Sequence, residues 1–393
     1  MTDGGRRLRI AMVVASEYES DARVRRQAEA LAERGDEVTV LALDAPGLER
    51  ESVVDGVRVV HLPVAKYRGD STSAYLRLYA GFALRAALWI SRRPRSFDLV
   101  QAHSMPEALV FCAAVQRLAG VPVVLDVHDL TSNLFASKFT RGGALMSMVR
   151  LSERMSMRFA TEVLTVSDPY ADVLRAITGT PVHTVLNCPD ERMFHPRAFR
   201  GWDPDGEVVL GYHGLIAPRH GLTTAVDALA EIRRQLPRVR MRVRGSGDGL
   251  APLREHVQAL GLADAVELPD RLLPVTRMAG FLDQVDIGVI PSRLDPWTRL
   301  VLPNKLMEYA YAGIPVVTFR NPVIERYFPP DAVTYVDPAS AANLREALLG
   351  LIRDPDRAAA QARRAREVMV GRTWAAQRRH YFELIDRVCK AAR

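Results

Sequence analysis

The feature that most constrains this chain is an order of short apolar runs and helical stretches that occurs twice. "LRIAMVVA" (residues 8–15) reads as a buried strand, followed by a loop, the helical "ARVRRQAEALAERG" and a second strand, "EVTVLAL". The order repeats with "FDLVQAHS", a helix from Pro106 and "VPVVLDVHD", and "TEVLTVSD" and "VHTVLNCPD" close the half. Short strands alternating with helices demand a parallel sheet with helices on both faces. Between Arg197 and Gly206 the pattern breaks into "RAFRGWDPDGE", rich in Pro, Gly and Asp as a linker should be. It then restarts with "VVLGYHG", a helix from Thr223, "VRMRVRGSG", a helix from Ala251, "AVELPD", "VDIGVIPS", "GIPVVTF" and "AVTYVD". The expectation is an α/β chain of two doubly wound, Rossmann-like domains, residues 1–198 and 199–374, with a last helix over 375–393. Two such domains facing each other would leave a cleft lined by the carboxyl ends of strands, where α/β sheets bind ligands.

Length agrees, because 393 residues exceed what one compact core usually organises. The formal charge of +7 is spread along the chain without a long Lys/Arg run. That argues against a nucleic-acid binder and suits acidic ligands or an anionic surface. Three widely spaced cysteines, Cys112, Cys188 and Cys389, have neither metal-type spacing nor an even framework, so a reduced, cytoplasmic setting is expected. No secretory pattern and no membrane-spanning run is visible.

The second half carries the chemistry. "NKLMEYAYAGIPVV" (residues 304–317) reads as a short helix with Pro303 before it, Asn304 as N-cap and Gly313 as left-handed stop. Lys305 and Glu308 are neighbours across one turn and could be a solvated ion pair. They also sit at a helix N-terminus, where anions are attracted. "YHGLIAPRHG" and "RGSGDG" follow strands and precede helices, so Gly214 and Gly245 could bring backbone N–H groups close to a phosphate, or could be plain tight turns. A guanidinium at Arg219 grips phosphate oxygens bidentately. Arg219 and Lys305 together would cradle a diphosphate, and Glu308 would accept from both hydroxyls of a ribose.

These stretches, with "SDARVRRQAEALAERGDEVTVLAL", "TVSD…VLNCPDERMFHP", "VDIGVIPS" and "PNKLMEYAYAGIPVV", resemble the GT-B glycosyltransferases of the large retaining family 4, in order and over nearly the full length. The resemblance implies an acceptor-binding first domain, a nucleotide-sugar-binding second domain and a last helix crossing back to the first. It implies retaining transfer without a metal or cofactor, onto a saccharide, lipid-linked or small-molecule acceptor. The expected donor set is Gly214, Gly245, Lys305, Leu306 and Glu308, with Arg219 and Asp295 as substitutes where the chain departs from the family. Asp21, Arg23, His103 and Asp129 fall on the acceptor side, with Glu107 near them. His128, at the end of "VVLDVHD", matches a histidine the family keeps near the sugar, and joins Arg219, Lys305 and Glu308 as the catalytic set.

Two places depart from the family pattern. A Glu expected eight residues before Glu308 is Leu300, with Asp295 nearby as the alternative carboxylate. The phosphate-binding cations usually flank the first turn where this chain has Leu215 and His220, which leaves Arg219 as substitute. A sugar-nucleotide epimerase or hydrolase, or a non-catalytic partner of the same fold, are the competing readings. Segment 74–95, "AYLRLYAGFALRAALWISRRPR", mixes apolar residues with five Arg. It fits either a helix resting weakly on an anionic membrane through Leu76, Leu78, Phe82 and Trp89, or a core helix with a solvated edge.

Overall fold

A computed structural model describes residues 6–44, 47–67, 69, 71–133, 143–202, 206–269, 277–295 and 297–392. The chain divides into two compact units: residues up to Leu186 together with those from Gln377 onward, and Asn187–Ala376.

The first unit is built on β1 (Arg9–Val13), α1 (Ala22–Arg34), β2 (Glu37–Asp44), β3 (Glu51–Val54), β4 (Val57–Ala65), α2 (Thr72–Ser91), β5 (Leu99–His103), α3 (Ala114–Leu118), β6 (Val123–Val127), α4 (Ala144–Phe159), β7 (Glu162–Thr165), α5 (Asp168–Ile177) and β8 (Val182–Thr184). The described strands form one sheet in the order β3-β4-β2-β1-β5-β6-β7-β8. All pairs are parallel except β3 with β4. That antiparallel hairpin escaped the periodicity argument, yet its signal is present. Asp55 and Gly56 at φ 49° and 80° make the turn, and Asp-Gly between alternating apolar residues is a strong hairpin signature. β5 and β6 are buried at every position, as parallel strands covered on both faces must be. The helix expected from Pro106 is instead a 3-10 turn, Glu107–Ala113, leading into α3.

The second unit restarts with β9 (Val208–Leu215), α6 (Leu222–Arg233), β10 (Val239–Ser246), α7 (Leu250–Ala259), β11 (Val266–Glu267), α8 (Met278–Leu282), β12 (Ile287–Ile290), α9 (Asn304–Ala312), β13 (Val316–Phe319), α10 (Pro322–Tyr327), β14 (Thr334–Val336), α11 (Ala341–Arg353) and α12 (Pro355–Val368). Its described strands form an all-parallel sheet ordered β11-β10-β9-β12-β13-β14. The order reverses at β9, between β10 and β12, which is where such sheets bind ligands. α13 (Trp374–Ala391) ends the chain, and its residues from Gln377 pack with the first unit. There Leu384 and Ile385 are fully buried, and the Tyr381 hydroxyl donates to Gln101 Oε1 at 2.7 Å.

Two expectations need correction. Pro303, not Asn304, is the N-cap of α9, and Asn304 is its first helical residue without a capping side chain. Gly313 does stop the helix at φ 79°. In segment 74–95, Leu78 and Phe82 are buried in the first unit's core, so they are not available to a membrane; Leu76, Leu84 and Leu88 are the exposed apolar residues of α2.

Candidate active site

In the second unit, the carboxyl ends of β9 and β10 approach so closely that only glycine fits. A Cβ on Gly245 would lie 1.8 Å from the Gly214 carbonyl oxygen, and both residues have positive φ. A Cβ on Gly214 would touch Lys305 Cε at 3.3 Å, so the start of α9 lies directly over the end of β9. Gly214 therefore leaves the space in which the Lys305 ammonium sits, and Gly245 lets β10 approach Gly214. Lys305 is buried, with Nζ 3.1 Å from the Tyr212 hydroxyl and 4.2 Å from the centre of its ring. Burial lowers its pKa to about 8, with Glu308 pulling the other way.

Glu308 Oε2 lies 3.2 Å from His213 Nε2, without hydrogen-bond alignment. The bland reading of a solvated Lys305–Glu308 pair fails, because the lysine is inside the protein. Burial, reinforced by Lys305, lowers the pKa of His213 to about 3; burial, Lys305 and Arg219 do the same to His220. Both imidazoles are neutral at neutral pH, so the local positive charge belongs to Arg219 and Lys305. The Arg219 guanidinium lies 4.8 Å over the Trp297 ring, and its buried Nε has no hydrogen-bond partner; neither has His220 Nε2. Buried polar atoms are rarely left unmatched, and a cluster of them is what an absent anionic ligand would leave behind.

Two members of the expected donor set are engaged elsewhere. The Leu306 side chain is wholly buried and its N–H donates to the Pro303 carbonyl, so this residue does not face a ligand, contrary to expectation. Asp295 Oδ1 accepts from the N–H groups of Trp297 and Thr298 at 2.8 and 2.7 Å, and thus organises its own turn.

In the first unit the expected residues converge on one the sequence reading missed. Asp126, fully buried in β6, receives Arg23 bidentately, Nε on Oδ2 at 2.9 Å and Nη2 on Oδ1 at 2.8 Å. Gln27 donates to the same Oδ2 at 2.9 Å, His128 Nε2 lies 3.2 Å from it and His103 Nδ1 3.4 Å. Gln101 extends the network, donating to Gln27 Oε1 at 2.6 Å and accepting from Tyr381. Despite its burial Asp126 stays ionised, its pKa held far below the usual range chiefly by Arg23. A carboxylate only accepts, so the His128 proton belongs on Nε2, leaving Nδ1 as the ring's other polar atom.

His103, Asp126 and His128 bring ligand-type atoms within 4.8 Å of one another, as a metal site would. Arg23 already occupies both oxygens of Asp126, and its charge opposes a second cation there. Arg23 is therefore an internal partner with 8% exposure rather than a surface contact, and His103 is fully buried. Asp21 caps α1 through Val24 N–H and accepts from Ser16 Oγ at 2.8 Å, so its carboxylate serves the fold. Glu107 holds Thr131 by its N–H and hydroxyl at 3.0 and 2.6 Å, and burial raises its pKa to about 7. Asp129 follows His128 and is partly exposed; its carbonyl accepts from Ser104 Oγ at 3.4 Å. An acidic residue inside "VVLDV" was the available signal for Asp126, since a buried carboxylate needs partners.

Residues 20–190 match the family described as "Glycosyl transferase 4-like domain", and residues 207–354 match "Glycosyl transferases group 1". The 2-deoxystreptamine glucosyltransferase of Streptomyces kanamyceticus is 27% identical over 317 residues, 75% of this chain and 79% of that protein. Among solved structures, sucrose-phosphate synthase from Thermosynechococcus elongatus superposes with a TM-score of 0.78 at 18% identity, covering 98% of this chain and all of that one. Anabaena HepE in complex with UDP-glucose gives 0.72 at 15% identity, over 96% of this chain and 99% of that one. With matching regions in both units and the GT-B architecture of two parallel-sheet α/β domains, this chain belongs to the group 1 glycosyltransferases.

Proposed function

We propose that the chain is a retaining glycosyltransferase that takes a sugar from a nucleoside-diphosphate sugar bound to its second unit and passes it to an acceptor hydroxyl. The observation that carries this reading is the buried Lys305 ammonium at the glycine-lined end of β9, together with the half-buried Arg219 over Trp297, whose Nε is unmatched. In the transfer, the bond from the sugar's anomeric carbon to the diphosphate oxygen breaks with both electrons leaving on the diphosphate. The acceptor oxygen bonds to the same carbon from the same face, and its proton passes to the departing diphosphate. Negative charge grows on the leaving group, so Arg219 and Lys305 act where stabilisation lowers the barrier rather than where it merely holds substrate. The same two side chains do this without a metal. Glu308 holds the ribose hydroxyls, and His128, its tautomer set by Asp126, positions the sugar. The UDP-glucose named in the Anabaena complex and the glucosyl transfer named for the Streptomyces relative support a glucose-type donor.

The test is incubation with a panel of nucleotide sugars and polyhydroxylated acceptors, with and without chelator. Products are read by mass spectrometry and anomeric configuration by NMR. A product of inverted configuration ends the retaining reading. Donor turnover indifferent to every acceptor makes the protein a hydrolase or epimerase. A nucleoside diphosphate at ~100 times its Kd should add ~2.7 kcal/mol of stability, and no thermal shift with any of them leaves a non-catalytic partner.

A further inference from the structure

We propose that the first unit docks on an anionic membrane through the outer face of α4, continued by the 3-10 turn Glu107–Ala113, α3 and α2. The starting observation is α4 itself. Its buried side carries Met146, Glu153, Ser156 and Met157. Its outward side exposes Leu145, Met148, Leu151 and Met155 at 51, 66, 56 and 53%. At 100° per residue these four lie within one third of the circumference, and the exposed Arg150, Arg154 and Arg158 fill the sector beside them. A helix with one face in the core needs no second apolar face. Here the second face is apolar and rimmed by cations, the pattern of a helix lying in a lipid interface.

The patch does not end with α4. The turn Glu107–Ala113 packs against both α4 and α2, and Phe111 meets Phe159 edge to face at 5.1 Å. On these neighbours Leu118 is 90% exposed, and Leu84 and Leu88 are exposed on α2. Charge identifies the occupant. Segments 72–95, 107–118 and 144–159 contain nine Arg and only two acidic residues, Glu107 and Glu153, both buried. Nine minus two is +7, equal to the formal charge of the whole chain. A self-complementary contact between two copies would press like charges together, whereas an anionic bilayer neutralises the Arg and accepts the Leu and Met side chains at once. No described helix is long and apolar enough to cross a membrane, so the contact proposed is interfacial.

The experiment is flotation of the full chain with vesicles of phosphatidylcholine alone, or mixed with phosphatidylglycerol, at low and high salt. Binding is expected only with the anionic lipid and should fade with salt. Replacing Arg150, Arg154 and Arg158 by Gln should lower the partition coefficient roughly a hundredfold, since each basic residue near the surface contributes about fivefold. The double variant Leu151→Asp, Met155→Asp should abolish binding. Both positions are over half exposed, so an unchanged circular dichroism spectrum and melting curve are expected to accompany the loss. As an independent readout, Met148→Trp should show a blue-shifted emission with anionic vesicles only. The proposal is overturned by flotation in no condition, by equal flotation in all, or by anionic binding that survives the double Asp variant. It is also overturned if sedimentation velocity shows a dimer that Leu151→Asp dissociates, which would assign the face to a second copy. None of these outcomes depends on the donor reading of the second unit.

Discussion

The two units each hold a cluster of buried polar side chains, and the clusters differ in how completely they are matched. Around Asp126 the partners answer one another: Arg23 and Gln27 donate to the carboxylate, Gln101 donates to Gln27, and Tyr381 donates to Gln101. Around Lys305 the balance is unfinished. One buried ammonium has a neutral hydroxyl for its partner, two imidazoles are forced neutral, and Arg219 Nε is unmatched. A fully satisfied network rigidifies the fold that contains it, whereas an unsatisfied one is a place where a ligand completes the structure. The comparison assigns stability to the buried members of the first cluster, with half-buried His128 as its outward member, and binding to the second.

The largest expected effect breaks the first cluster. Asp126→Ala leaves the Arg23 guanidinium buried without its carboxylate, which should cost about 3–5 kcal/mol in urea unfolding. A loss under about 1 kcal/mol would mean that Arg23 reaches water and that the network is not structural. Lys305→Ala should show the opposite pattern. Turnover should fall 10²–10³-fold, about 2.7–4 kcal/mol of transition-state stabilisation, while unfolding stability holds or rises because a desolvated charge is removed. If stability fell and turnover did not, the roles given to the two clusters would be reversed.

Smaller effects sharpen the contrast. Glu308→Gln should raise the donor KM by about tenfold and erase any preference for ribose over deoxyribose donors, as a neutral amide accepts weaker hydrogen bonds. An unchanged preference would leave Glu308 as a partner of His213 only. The smallest effect is in pH. Lys305 in the free protein loses its proton near pH 8, below the ordinary 10.5, because burial disfavours the charged form. A bound diphosphate favours the protonated form, so it raises that pKa and its binding takes up protons above pH 8. Affinity for a nucleoside diphosphate should be full below pH 7 and fall by up to about tenfold per unit as pH rises through 8, the slope of a single proton. Calorimetry in buffers of different ionisation enthalpy reads the uptake directly, and Lys305→Ala should remove it.

The two units divide between Leu186 and Asn187, ahead of the break expected from Arg197, whereas local pattern alone was enough for the alternating architecture and the helix stop at Gly313. These are properties of neighbours in sequence: period, breaker residues and caps act over a few residues. The Asp55-Gly56 hairpin is legible by the same rule, because Asp-Gly with positive φ at both residues is a local turn signal. What lay beyond sequence depends on strands and helices distant along the chain. That Arg23 and Asp126, 103 residues apart, form one ion pair follows from the sheet order, which brings β6 within reach of the long side chains of α1, and no spacing announces it. That Leu306 turns into the core while Lys305, one residue earlier, reaches Tyr212 is set by how α9 rolls onto β9. Whether α2 or α4 offers an apolar face to its surroundings was likewise undecidable from composition, since both are apolar and basic. Burial removed Leu78 and Phe82 from α2's face and left Leu151 and Met155 on α4's. Sequence determined which elements could form and which residues could do chemistry. Only the tertiary structure decided which of those residues are already spent on one another, because desolvation and hydrogen-bond satisfaction are set by neighbours in space.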